Sequence, residues 1–191
     1  VIIDDYIDIN KIISGNFLLS TIQNINARNP KYLVGIGGGR TMDYMKFLSM
    51  KTKIYSIAIP TSLSSHVYAS PKIHALKPIK DLGYELTIDS YACNLSFLDV
   101  SIFEELYKEN SRLLYAGLGD ISAFYTASLD WKLAINKKLC KDNPFVNDII
   151  NYILKELESF EITNPLEVWI YDYFLIQVLL CYITDWVGSA P

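Results

Sequence analysis

The stretch that most constrains this chain runs through residues 32–60. Tyr32-Leu33-Val34-Gly35-Ile36 is rich in β-branched and aromatic residues and runs into Gly37, Gly38 and Gly39. A helix-length segment follows over residues 41–50, and a second β-rich run, KIYSIAI at residues 53–59, ends at Pro60. A strand, a glycine turn, a helix and another strand in this order demand a crossover connection, and hence a parallel pair. Val1-Ile2-Ile3 reads as a preceding strand and residues 16–27 as a preceding helix, which extends the alternation to the start of the sequence. Ligands of such sheets bind at the carboxyl ends of the strands, so the loops after Ile36 and Ile59 are the places to look for chemistry.

From residue 70 to 99 the pattern changes to short alternating runs, Lys72-Ile73-His74-Ala75-Leu76 and Tyr84-Glu85-Leu86-Thr87-Ile88, which predict a hairpin excursion. Beyond Val100 the sequence reads as helical over residues 102–108, 119–139, 147–160 and 166–186, the last opened by Pro165 at its first turn. The expected architecture is an N-terminal Rossmann-like α/β part, residues 1–111, followed by an all-α part, residues 112–191. No internal repeat interrupts it. The last helix is apolar on nearly every side, from Trp169 to Ile183, and such a helix is normally surrounded. Further chain, a partner subunit or a homo-oligomer is expected to cover it.

Apolar residues make up 51% and charged residues 20% of the chain, which places it among globular proteins with a substantial core. Seventeen Lys and Arg against 21 Asp and Glu leave a net charge of −4, no footprint for a nucleic-acid backbone. Cys93, Cys140 and Cys181 lie far apart, without a CxxC pair, as befits a reducing cytoplasm. The N-terminal VIIDDYIDIN is acidic where a secretion signal would be basic. The longest uncharged run in the most apolar segment is residues 173–184, 12 residues, short of the ~20 of a spanning helix. Membrane insertion is therefore not expected.

Three segments carry candidate chemistry. In the first, Gly35-Ile36-Gly37-Gly38-Gly39-Arg40-Thr41-Met42-Asp43, glycines let a phosphate approach the backbone and the helix behind them offers free N–H groups. Its spacing is neither GxGxxG nor GxxxxGK[ST], and an empty tight turn is the alternative. The second segment, residues 60–71, places Thr61, Ser62, Leu63, Ser64, Ser65, His66 and Ser70 after the second β-rich run, either as hydrogen-bonding groups for a polar ligand or as a Ser/Thr-rich turn. In the third, Ala116-Gly117-Leu118-Gly119-Asp120 sets an acid at a glycine-flanked helix start, where it caps the helix or ligates a hard metal ion.

Together these segments resemble the archaeal glycerol-1-phosphate dehydrogenases of the metal-dependent polyol dehydrogenase and dehydroquinate synthase-like superfamily. The GxGGGxxxDxxK loop of that family is matched by residues 35–46, its PT-x-x-S loop by residues 60–71, and its AGxGD and YTA-x-x-DW-x-LA elements by residues 116–134. The resemblance implies a dehydroquinate synthase-like fold, of which this sequence is expected to be the middle, incomplete at both ends. It implies that Gly37, Gly38, Gly39, Arg40, Thr41, Met42 and Asp43 hold the pyrophosphate of NAD or NADP. Thr61, Ser62, Leu63, Ser64 and Ser70 would complete that site. Asp120 is implied as the carboxylate ligand of a catalytic zinc, completed in the family by two later histidines; His66 and His74 both precede it. The implied reaction is reduction of the phosphorylated triose dihydroxyacetone phosphate to sn-glycerol 1-phosphate for archaeal membrane lipids, with the metal polarising the carbonyl while the nicotinamide delivers hydride. His66 stands where the family has a substrate-binding Asp, and Val67 where it has Gly, so His66 becomes a candidate catalytic residue in place of that acid. The alternatives are a non-catalytic nucleotide-binding paralogue and a split protein completed by a helical partner.

Overall fold

The computed structural model describes residues 5–62, 67–158 and Leu175. A 3-10 turn at Ile9–Lys11 leads into α1, Gly15–Arg28, whose start is capped by the Ser14 hydroxyl accepting from the Phe17 N–H at 3.3 Å. Asn29, in the left-handed conformation at φ 46°, ends it. The chain then forms β1 (Tyr32–Gly37), α2 (Gly39–Thr52) and β2 (Tyr55–Pro60). Strands β1 and β2 pair in parallel from Tyr32 opposite Tyr55 to Gly37 opposite Pro60. This is the crossover unit read from the sequence. The expected strand at Val1-Ile2-Ile3 lies outside the described residues.

The excursion that follows is a small antiparallel pair, β3 (Lys72–His74) with β4 (Thr87–Asp89), around the short helix α3 (Lys77–Lys80). Strand β5, Leu95–Ser96, then returns to pair in parallel with β2, giving the order β1-β2-β5. Two residues carry too little pattern to be read as a strand in advance. The main core lies between α1, α2, α3 and the hairpin and is built from Leu18, Ile25, Tyr44, Phe47, Leu48, Ile73 and Ile79. A second cluster, Met42, Met45, Ala58 and Tyr68, fills the space between α2 and the sheet. Helix α2 is buried continuously over residues 42–48, so it is the central element of this region.

Gly35 makes that placement possible. A Cβ there would stand 2.7 Å from the Met45 Sδ, so the missing side chain lets α2 lie directly on β1. On the other side of the sheet, Tyr32, Val34, Ile36, Tyr55, Leu95 and Phe97 are exposed.

Helix α4 spans Val100–Asn136, with one non-helical residue, Asn110 (φ −153°, ψ 75°), and α5 spans Pro144–Glu158. This corrects the expected helix start at Gly119. The helix runs through Gly117 and Gly119, since two glycines at about 1 kcal/mol each do not outweigh the turns on either side. Asp120 therefore sits inside α4, ten residues beyond the break at Asn110, and is not an N-cap. Apart from Leu175, the expected helix at residues 166–186 lies outside the described residues. No described helix is long and apolar enough to cross a membrane.

Candidate functional site

The carboxyl ends of β1 and β2 and the start of α2 meet at one point. Gly37 takes φ +152°, where a Cβ would fall 2.3 Å from the Thr41 Oγ1, so the chain needs glycine to turn under its own helix. Its carbonyl accepts from the Thr61 N–H at 3.0 Å, tying the exit of β2 to the exit of β1. Gly38 is the N-cap of α2 and supplies no side-chain cap. The first-turn N–H groups of Gly39, Arg40 and Thr41 have no acceptor within the helix, and the positive end of the helix dipole lies among them. A Cβ built on Gly38 would meet nothing nearer than the Ser62 Cβ at 4.0 Å, and Arg40 is exposed. The result is an open, N–H-lined concavity beside Thr61 and Ser62, which suits a diphosphate.

Not every expected residue faces it. Met42 is 1% exposed and belongs to the cluster between α2 and the sheet. Asp43, 4% exposed, accepts from the His74 N–H at 2.9 Å. Burial raises its carboxyl from 3.8 to about 6, against the opposing pull of that hydrogen bond and of the Lys46 ammonium. Ser70 is buried too, and its Oγ accepts from the Lys72 N–H at 3.1 Å. The side chains of Met42, Asp43 and Ser70 are thus committed to the interior. The helical period explains this for the first two: once Gly39, Arg40 and Thr41 form the open turn, the next residues of a central helix must point into the core. Leu63, Ser64 and His66 lie outside the described residues. Asp120 has a described backbone within α4, and its side chain is not described.

One further residue of the glycine-helix motif is placed by the fold. Lys46 is 2% exposed, and its Nζ donates to the carbonyls of Val67 at 2.9 Å and Ser70 at 2.7 Å, and to that of Lys72. The available signal is its place three residues after Asp43 within the otherwise apolar run of residues 42–48, which puts both charges on one face. Burial pushes the Cys93 thiol up to about 11, away from the thiolate form. Among the described residues no three His, Cys, Asp or Glu side chains gather in a way that would hold a metal ion.

The family model for iron-containing alcohol dehydrogenases matches residues 6–92. The chain is 30% identical over 163 residues to the glycerol-1-phosphate dehydrogenase [NAD(P)+] of Methanococcus maripaludis, covering 84% of this chain and 45% of that protein. It is 33% identical over 106 residues to the enzyme of the same name from Metallosphaera sedula, covering 56% of this chain and 28% of that one. The chain thus spans less than half the length of these curated relatives. Among solved structures it is similar to a probable glycerol dehydrogenase from Sinorhizobium meliloti, with TM-score 0.63 and 18% identity over 87% of this chain and 50% of that one. The glycerol dehydrogenase of Schizosaccharomyces pombe gives TM-score 0.61 and 19% identity over 84% and 44% of the two chains. These likenesses establish a dehydroquinate synthase-like fold. The glycine-helix cradle, the fold and the archaeal relatives agree, and over residues 6–92 the chain is similar to the iron-containing alcohol dehydrogenases.

Proposed function

We propose that this chain carries the cofactor-binding part of a glycerol-1-phosphate dehydrogenase-like oxidoreductase. Its reaction is the NAD(P)H-dependent reduction of dihydroxyacetone phosphate to sn-glycerol 1-phosphate, the step that supplies the glycerol backbone of archaeal membrane lipids in the cytoplasm. The observation that carries the reading is the uncapped start of α2 at Gly38, open to a ligand and flanked by Thr61 and Ser62. There the N–H groups of Gly39, Arg40 and Thr41 bind the diphosphate, and the Arg40 guanidinium adds a second positive group at its edge. The hydroxyls of Thr61 and Ser62 orient the remainder of the dinucleotide. When bound, the nicotinamide supplies the hydride.

Asp120 is the residue we assign to the metal, with zinc as the expected ion. Among the described residues no three His, Cys, Asp or Glu side chains gather to hold an ion, and no step is assigned to it. The test is to mix the full chain with NADH or NADPH and dihydroxyacetone phosphate, follow loss of reduced nicotinamide, and assign the stereochemistry of the product. Turnover to the 1-phosphate is expected where the metal site is complete. Asp120→Ala should abolish it while changing dinucleotide affinity by no more than about twofold, as for independent sites. A collapse of nucleotide affinity in that variant would contradict the assignment. His66 and Val67 in place of Asp and Gly favour a second reading, a nucleotide-binding paralogue without catalysis. Dinucleotide binding with no turnover of any small polyol or its ketone would select it.

A further inference from the structure

The loop between β2 and β3 leaves the sheet at Thr61 and Ser62 and returns along residues 67–74. Four backbone groups of the returning leg are held by two side chains one helical turn apart on α2. Lys46 donates to the carbonyls of Val67, Ser70 and Lys72, and Asp43 accepts from the His74 N–H. Behind the leg, the N–H groups of Ser90 and Cys93 donate to the carbonyls of Pro71 and Tyr68 at 2.8 and 3.0 Å. Three desolvated carbonyls aimed at one buried point need donors there, and the Lys46 ammonium supplies three together with a charge that offsets the repulsion of their dipoles. The N-terminus of the same helix forms the cradle. Ser62 and Val67 are five residues apart, at most about 18 Å of chain, so the position of the returning leg restricts that of the outgoing one.

We propose that Asp43 and Lys46 are positioning residues for the dinucleotide site: by holding the returning leg against α2 they set where Thr61 and Ser62 stand beside Gly38. The inference rests on the cofactor reading above. It goes beyond it by giving the two buried charges of the motif a role at a distance from the ligand. A pair that served stability alone would leave the affinity of the folded fraction unchanged.

The experiment measures NADH and NADPH affinity of the full chain by titration calorimetry well below each variant's melting temperature, with folding checked by circular dichroism. Hydrogen exchange is read on the same samples. Lys46→Met should weaken dinucleotide binding roughly tenfold, the scale of one lost charge-assisted hydrogen bond. Exchange should quicken at residues 67–74 and stay unchanged in α1. Asp43→Ala should weaken binding several-fold, and Asp43→Asn, which keeps an acceptor for the His74 N–H, should restore it to within about twofold. This second pair decides the matter if Lys46→Met does not fold. Wild-type affinity in folded Lys46→Met, or in Asp43→Ala, overturns the positioning role and leaves the cofactor reading standing. A wild-type chain that binds neither dinucleotide overturns both.

Discussion

Residues 42–48 of α2 are buried one after another, whereas along the second half of α4 Tyr125, Leu129 and Leu133 recur every four residues and stand about half exposed. Both helices follow the same sequence rule, an apolar residue on each turn. They differ in what lies against them. Helix α2 is packed by α1, the hairpin and the sheet, which fixes the side chains of residues 42–48. The described part of α4 buries Phe103 and Ser128 and leaves its apolar stripe open. Consequently the residues assigned around the cradle rest on geometry, and the assignment of Asp120 rests on its place along a helix and on resemblance.

The largest expected effect sets these two helices against each other. Phe47→Ala, at a side chain with no exposure, should cost about 3–5 kcal/mol in urea unfolding, while Leu129→Ala should stay within about 0.5 kcal/mol. Equal losses would mean that α4 is covered as well as α2. Next in size, the carboxyl of Asp43 titrates at about 6 in the folded chain against 3.8 as an isolated group. Between those values the folded state holds the extra proton, so the contribution to stability is fully present below pH ~4 and falls by about 3 kcal/mol as pH rises through 6. Asp43→Asn should remove this slope; an unchanged slope in the variant would place the titration elsewhere. Gly37→Ala should cost about 1–3 kcal/mol, from its positive φ and the crowding of Thr41. The smallest of the series is Ser14→Ala, which removes the cap of α1 and should lower stability by about 1 kcal/mol, or a melting temperature shift of a few degrees.

Much of the α/β region was legible because its signals are local. The strand of Tyr32 to Gly37, the crossover to Pro60 and the alternation on either side of α3 each show within a few residues. The direction in which Met42, Asp43 and Ser70 point was not legible, because it depends on which elements surround α2, and that is settled by packing. The passage of α4 through residues 117 and 119 was hidden for a related reason: glycine at both positions is a local breaker, and the helical turns on both sides override it. Lys46 was present in the motif from the start, and only the fold shows that three carbonyls from a segment more than 20 residues later converge on it.

The central claim is that the open start of α2 receives a dinucleotide. Gly38 has an extended backbone, φ −84° and ψ −167°, that any residue adopts, and free space where its side chain would be. Gly38→Leu should therefore fold with a melting temperature within a few degrees of wild type and fill the cradle. Titrating NADH and NADPH into both proteins tests this directly. Binding by the wild-type chain and its loss by roughly a hundredfold or more in Gly38→Leu, the effect expected when backbone can no longer approach the diphosphate, is the predicted result. Equal affinity in the two proteins would contradict it.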